Sequence, residues 1–409
     1  MRRATIFGCF FLAVHGCGGD TPGNPPPATD SGMVTPGDGM APRPDALDPG
    51  DGRTDGAGVL LSTGQASGCV RKADGTAACW GFNGQAILGD QSTSTRYTAV
   101  PVMGVTEVAD LAIGRYHTCA VRTNGTVLCW GTGRNGQLGN GMQADSPMPV
   151  QVELVMDAAR VAVGETHTCV VRRGGGVFCW GINTMGQVGD GTNSQRDRPV
   201  MVGGPADAQY IAAGRNHTCV TRRAGGVYCW GSNDHGQLGN GSMGGSSATA
   251  GLVMAITDAS AIAAFGDHAC VARDTGEVAC WGSNAGGQLG DGSTMDRPAP
   301  VGVTGVAMAT GVAVGGFHGC ARLMNGRVSC WGRNTAGQLG DGTNMARTMA
   351  VSAMGLMDAA QVSAGQDFTC AVRGGGAVVC WGANTAGQLG RGMAGGGSAT
   401  FFPAPVLGL

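Results

Sequence analysis

The sequence predicts an all-β fold, a seven-bladed β-propeller of four-stranded antiparallel blades, and three observations carry this. Every Trp stands in a Cys-Trp-Gly tripeptide, at Trp80, Trp130, Trp180, Trp230, Trp281, Trp331 and Trp381, so one unit of 50 or 51 residues recurs seven times. Such a period marks a solenoid, a propeller or an array, whose units bury apolar faces only against one another. Within each unit, short β-branched and aromatic runs alternate with Gly-rich punctuation, as strands and tight turns do. Two Cys ten residues apart recur in all seven units, flanking one turn.

The first 57 residues stand outside the repeats. Arg2 and Arg3 precede Ala4 to Val14, an apolar stretch too short to span a bilayer, as in an export signal. Val14-His15-Gly16-Cys17 is similar to the bacterial lipobox, in which the Cys is lipidated and becomes the new N-terminus. His15 departs from the usual small residue there, and Gly18 replaces the Asp that would mark inner-membrane retention. Residues 1–17 are therefore expected to be a signal peptide that leaves an outer-membrane or surface lipoprotein anchored at Cys17, the alternative being a periplasmic or secreted protein. Residues 18–57 are rich in Pro, Gly and Asp and poor in large apolar side chains, which predicts a disordered tether. Its Asp45, Asp48, Asp51 and Asp55 lack the alternating spacing of a calcium loop. Residues 58–409 are expected to form the propeller.

Residues 157–203 illustrate one unit. Val161 to Gly164, His167 to Arg172 and Val177 to Gly181 read as three strands, and Arg198 to Val202, which contains Pro199, suits an outer edge strand. Between the second and third strands, Thr123-Asn124-Gly125 and its equivalents form a three-residue turn with Gly at the left-handed position. That register sets the two Cys of each unit opposite one another, with Cα atoms about 4.5 Å apart, within disulfide range. On an exported chain this predicts the disulfides Cys69–Cys79, Cys119–Cys129, Cys169–Cys179, Cys219–Cys229, Cys270–Cys280, Cys320–Cys330 and Cys370–Cys380. The segment 401–406 matches a fourth strand and Val59 to Leu61 a first, so the C-terminal segment is expected to complete the N-terminal blade.

Charge excludes little except nucleic acid. Residues 58–409 hold 22 Lys plus Arg against 21 Asp plus Glu, without the basic run of a nucleic-acid binder. His117, His167, His217, His268 and His318 share one repeat position, which argues for a hydrogen bond within each blade and not for a metal site. The Trp ring reads as packing. No nucleophile elbow, P-loop or zinc-protease motif occurs, so neither catalytic residues, a metal nor a cofactor are expected.

The recurrent G-x-x-H-T-C-x-x-R-x-x-G-x-V-x-C-W-G-x-N-x-x-G-Q-L-G-D-G resembles the repeat of the regulator of chromosome condensation, a seven-bladed propeller, over all seven units. Ser67 and Phe368 replace the His, Phe265 replaces the leading Gly, and the first unit reads Asn83-Gly-Gln-Ala-Ile-Leu-Gly89. The resemblance implies a founder that binds chromatin and exchanges guanine nucleotide on a small nuclear GTPase. It also implies secreted bacterial propellers that act by binding, an inhibitor of β-lactamases among them.

An Arg precedes each hairpin, at Arg71, Arg122, Arg172, Arg222, Arg273, Arg322 and Arg373, whereas the opposite face gathers Asp90, Asp190, Asp291 and Asp341. The arginines form a candidate binding rim for an anionic envelope polymer or an acidic protein. The expected function is thus a monomeric, non-enzymatic protein- or ligand-binding propeller in the bacterial envelope, held to the membrane by its lipid alone. A guanine-nucleotide exchange factor and a propeller-based hydrolase or lyase are the alternatives; the last requires acidic or His residues converging on the central channel.

Overall fold

The structure, a computed structural model, describes residues 58–392 and 399–409. The expected signal peptide, Cys17 and the tether lie outside the described residues. Seven four-stranded antiparallel sheets are built, each from four consecutive strands, and no helix occurs among the described residues. In the first blade these are Leu60–Thr63, Ser67–Arg71, Ala77–Gly81 and Arg96–Pro101. In the third they are Ala158–Val163, His167–Arg172, Val177–Gly181 and Arg196–Met201. The inner three strands are buried on both faces by neighbouring blades, which is why their sequences are nearly continuous apolar runs, and the fourth exposes much of its length.

Each hairpin adopts the expected register. Cys119 lies opposite Cys129 and Val121 opposite Val127, and Gly125, at φ 88°, donates its N–H to the Arg122 carbonyl. All seven predicted disulfides are formed, with Cα separations of 4.0 to 4.1 Å, and every bridging Cys is fully buried. A short-loop cross-link of this kind contributes on the order of 2 to 3 kcal/mol by restricting the unfolded chain. Seven of them point to an oxidising, exported environment.

Blades are joined by the Trp. Each indole is completely buried and packs into the apolar cluster of the preceding blade, as Trp130 does with Leu88 and Val102. Its Nε1–H donates to a carbonyl of that blade, Trp180 to Gln137 at 2.8 Å and Trp281 to Gln237 at 2.9 Å. The same device closes the ring, where Trp80 donates to the Gln388 carbonyl at 2.9 Å and joins the cluster of Phe368, Val378 and Leu389.

The expectation that the C-terminal segment completes the N-terminal blade is wrong. Thr400–Pro405 pairs with Val378–Gly382 in the seventh blade, and Leu60–Thr63 pairs with Ser67–Arg71 in the first. Closure is lateral. The Gln361 amide accepts from the Leu61 N–H at 2.8 Å and donates to the Leu61 carbonyl at 2.9 Å, and Ala99 donates to the Leu407 carbonyl at 2.9 Å.

Candidate interaction faces

The shared His are interior groups, and their bonds run between blades, not within one. The Thr168 hydroxyl gives its only proton to the Gln137 carbonyl, so His117 Nε2, 2.6 Å away, must be the protonated nitrogen and the donor. His167 with Thr218 and His318 with Thr369 repeat this at 2.8 Å. His217 and His268 meet Ala269 and Gly319 at the place of that Thr, so neither ring has the hydroxyl partner of the others. Desolvation lowers His117, His167, His268 and His318 to about 3 and His217, favoured by nearby Asp267, to about 4. These rings are neutral at ordinary pH. Their contact also explains the leading Gly of the motif, since a Cβ at Gly214 would overlap the His217 ring.

The arginine rim resolves into two sets. Arg122, Arg172, Arg222, Arg273 and Arg373 end the second strands of their blades, and each pairs with the acid before its own first strand: Glu107, Asp157, Asp207, Asp258 and Asp358. In the sixth blade this pair is replaced by apolar Leu323 and Met308. Arg71 and Arg322 are displaced from that rim by one residue, opposite Ala77 and Val328 where Arg122 would correspond to Lys72 and Leu323. A shift of one residue in a strand turns the side chain to the other sheet face. Arg71 accordingly reaches between blades to the carbonyls of Val108 and Gly58.

The acidic residues of the opposite face are similarly engaged. Asp90, Asp190, Asp291 and Asp341 are nearly buried and pair with Arg96, Arg196, Arg297 and Arg347. For Asp90, burial raises the carboxyl pKa, but hydrogen bonds from Arg96, Ser92 and Asn83 outweigh it and hold the group below its usual range. Where Asn140 and Asn240 replace the Asp, Ser146 and Ser247 replace the Arg opposite Gly131 and Gly231. Both charged rings are thus largely internal ladders of paired groups.

Sequence reasoning passed over the loops between first and second strands, which surround one mouth of the central channel. A cavity of about 50 Å³ lies there, lined by Gln65, Arg115, Glu165, Arg215, Phe265 and Gln366 among others. Arg115 pairs with Glu165 at 2.7 Å, and Arg215 pairs with Glu165 at 3.3 Å and with Asp267 at 3.1 Å, so three ion pairs link four successive blades. Farther round, the Arg333 guanidinium lies 3.9 Å over the Phe317 ring, and burial raises the Asp367 carboxyl pKa against the opposing charge of Arg333. The signal was legible as variation among units. The residues after the loop Gly read Gln65-Ala66, Arg115-Tyr116, Glu165-Thr166, Arg215-Asn216, Gly316-Phe317 and Gln366-Asp367, while the second strand that follows keeps its Cys in every unit.

No group of three or more His, Cys, Asp or Glu placed to hold a metal occurs among the described residues. Among the described residues no helix is long and apolar enough to cross a membrane.

Among solved structures, the chain is similar to Prp20p of Saccharomyces cerevisiae, described with its binding to Gsp1p and histones. The two are 21% identical, over 76% of this chain and 81% of that one, with a TM-score of 0.67. Yeast RCC1 (Prp20) bound to Kap60 is 18% identical, over 80% and 83%, with a TM-score of 0.69. Human WBSCR16 is 22% identical, over 80% and 93%, with a TM-score of 0.70. At these identities the likeness is one of fold. No curated protein matches the chain. Two models of the Regulator of chromosome condensation (RCC1) repeat match, one at residues 124–171, 174–221, 275–322 and 325–372, the other at 108–137, 158–187, 209–237, 260–288, 309–338 and 359–388. Together they cover more than half of the sequence, and the chain belongs to the regulator of chromosome condensation repeat family.

Proposed function

We propose that this protein is an exported, non-enzymatic binding propeller that recognises a protein partner through the loops around the channel mouth formed by Gln65, Arg115, Glu165, Arg215 and Gln366. One observation carries the reading: the Cys, Trp and turn Gly positions recur in all seven units, whereas these loops differ from unit to unit and join unlike charges into ion pairs around the mouth. An asymmetric surface of mixed charge with exposed aromatic edges is what recognition of one partner requires, whereas a repeated ring presents the same group many times. The arginine rim, the earlier candidate for an anionic partner, is weakened by the acid beside each of its five in-register members.

The compartment follows from the disulfides and from the N-terminal sequence. Buried bridges in all seven blades belong in an oxidising space, and the lipobox-like Val14-His15-Gly16-Cys17 supplies an anchor to the envelope. On this reading residues 1–17 direct export, 18–57 tether, and 58–409 bind. Nucleotide exchange on a small intracellular GTPase, the activity suggested by the family's founder, is disfavoured by the same bridges. The test is a pull-down from the native envelope with wild type and with a loop variant, Arg115→Ser with Arg215→Ser. Loss of one discrete partner in the variant supports the loop face; retention there, with loss on replacing Arg122, Arg172, Arg222 and Arg273 by Ser, returns the site to the hairpin rim. Cys17→Ser tests the anchor by releasing the protein from the membrane fraction or leaving it unprocessed.

A further inference from the structure

The first strands of all seven blades line a central cavity of about 160 Å³. Its lining includes two charged side chains, Asp110 and Arg322. Asp110 is fully buried and accepts from the Val161 N–H at 2.8 Å, and the Arg160 guanidinium lies 5.5 Å from the Tyr210 ring. These two belong to the second and third blades. Arg322 stands in the sixth, across the ring.

Arg322 occupies this place through an exchange of volume between neighbouring strands. Opposite the first-strand residues Asp110, Arg160, Tyr210 and Gln361, the second strand carries Val121, Val171, Thr221 and Val372. In the sixth blade the order is reversed, with Gly311 on the first strand and Arg322 on the second. Removal of the inner side chain opens the path by which the guanidinium reaches the cavity. Arg71, at the same register, faces Leu60 and is taken up by backbone carbonyls instead.

Among the described residues no carboxylate lies within ion-pair distance of Arg322, and its buried Nε has no hydrogen-bond acceptor. Burial lowers its pKa from the ordinary guanidinium value without displacing the charge. A desolvated cation without a partner is costly, and a guanidinium fork matches a carboxylate with two parallel hydrogen bonds. The geometry points to a binding site for a small monocarboxylate in the central channel, its carboxylate on Arg322 and its short alkyl part against Val312 and Val362. Asp110, the other charged group of the lining, favours a monoanion over phosphate, whose second charge it would repel.

The test is calorimetric melting of the full chain with increasing sodium butyrate at ionic strength held constant with sodium chloride, with sodium phosphate as a second series. Butyrate should raise the melting temperature saturably, while chloride and phosphate do not. R322M should melt higher than wild type without anion, because it removes an unpaired desolvated charge, and should lose butyrate affinity by at least about tenfold. Line broadening of carboxyl-labelled butyrate in wild type reads the same binding without a variant. A wild type without saturable binding, a phosphate response equal to that of butyrate, an R322M that still responds, or an R322M less stable than wild type would each overturn the site.

Discussion

The five buried His make the fold sensitive to mild acid. Their folded values of about 3 to 4 lie below the unfolded value near 6.5, so below that point the unfolded chain binds protons that the folded chain does not. Stability is therefore fully present above about pH 6.5 and is lost as pH falls toward the folded values. Each ring contributes about 1.4 kcal/mol per pH unit, and at about pH 5.5 the five together remove on the order of 7 kcal/mol, comparable with the whole stability of many domains. Asp90, Asp190, Asp291 and Asp341, held low by their partners, lose their contribution only in stronger acid. Asp367, raised by burial, works in the opposite direction but is one group against five. Denaturant melts at neutral pH and at about pH 5.5 measure the loss. His217→Phe is the diagnostic variant: its ring has no hydrogen bond to lose, and the seventh blade already holds Phe368 in this place. It should reduce the pH slope by about 1.4 kcal/mol per unit. Equal stability at the two pH values, or an unchanged slope in His217→Phe, would refute the reasoning.

Thiol reagents applied to the denatured, unreduced protein should find almost none of the fourteen repeat Cys free, and replacing Cys219 and Cys229 together by Ala should cost about 2 to 3 kcal/mol by denaturant unfolding. Gln361→Ala removes both bonds to Leu61 at the closing seam and should cost roughly 2 kcal/mol. Trp80→Ala should cost about 3 to 5 kcal/mol, because its indole fills the seventh blade's cluster and bonds Gln388. Deletion of 401–409 should destabilise far more than deletion of 18–50, since it strips the outer strand from the seventh blade and the Leu407 bond to Ala99; equal melting temperatures would contradict this.

The hairpins were legible because a local rule governs them: a three-residue turn ending in Gly125 leaves one register, and that register opposes Cys119 to Cys129. Blade phase was not, because a 50-residue period is unchanged by moving the repeat boundary one strand along. Whether Thr400–Pro405 served the first or the seventh blade therefore depended on contacts three hundred residues apart, such as Gln361 with Leu61. The displaced arginines were within reach of counting. Arg122 is three residues after Cys119, while Arg71 and Arg322 are two after Cys69 and Cys320, and one step reverses the face in a strand. The His partners were half visible, since a Thr follows His117, His167 and His217, but only the packed ring shows that each Thr serves the His of the preceding blade. The channel charges stayed hidden because Asp110 and Arg322 come from separate units and share no motif.

The central claim is that recognition lies in the loops at the channel mouth. Photo-crosslinking residues placed singly at Arg115, Tyr116, Arg215 and Phe317, and at Thr123, Arg173 and Arg223 on the hairpin face, test it in the native envelope. One discrete adduct is expected from the loop positions and none from the hairpin positions. Adducts from the hairpin positions alone would contradict it.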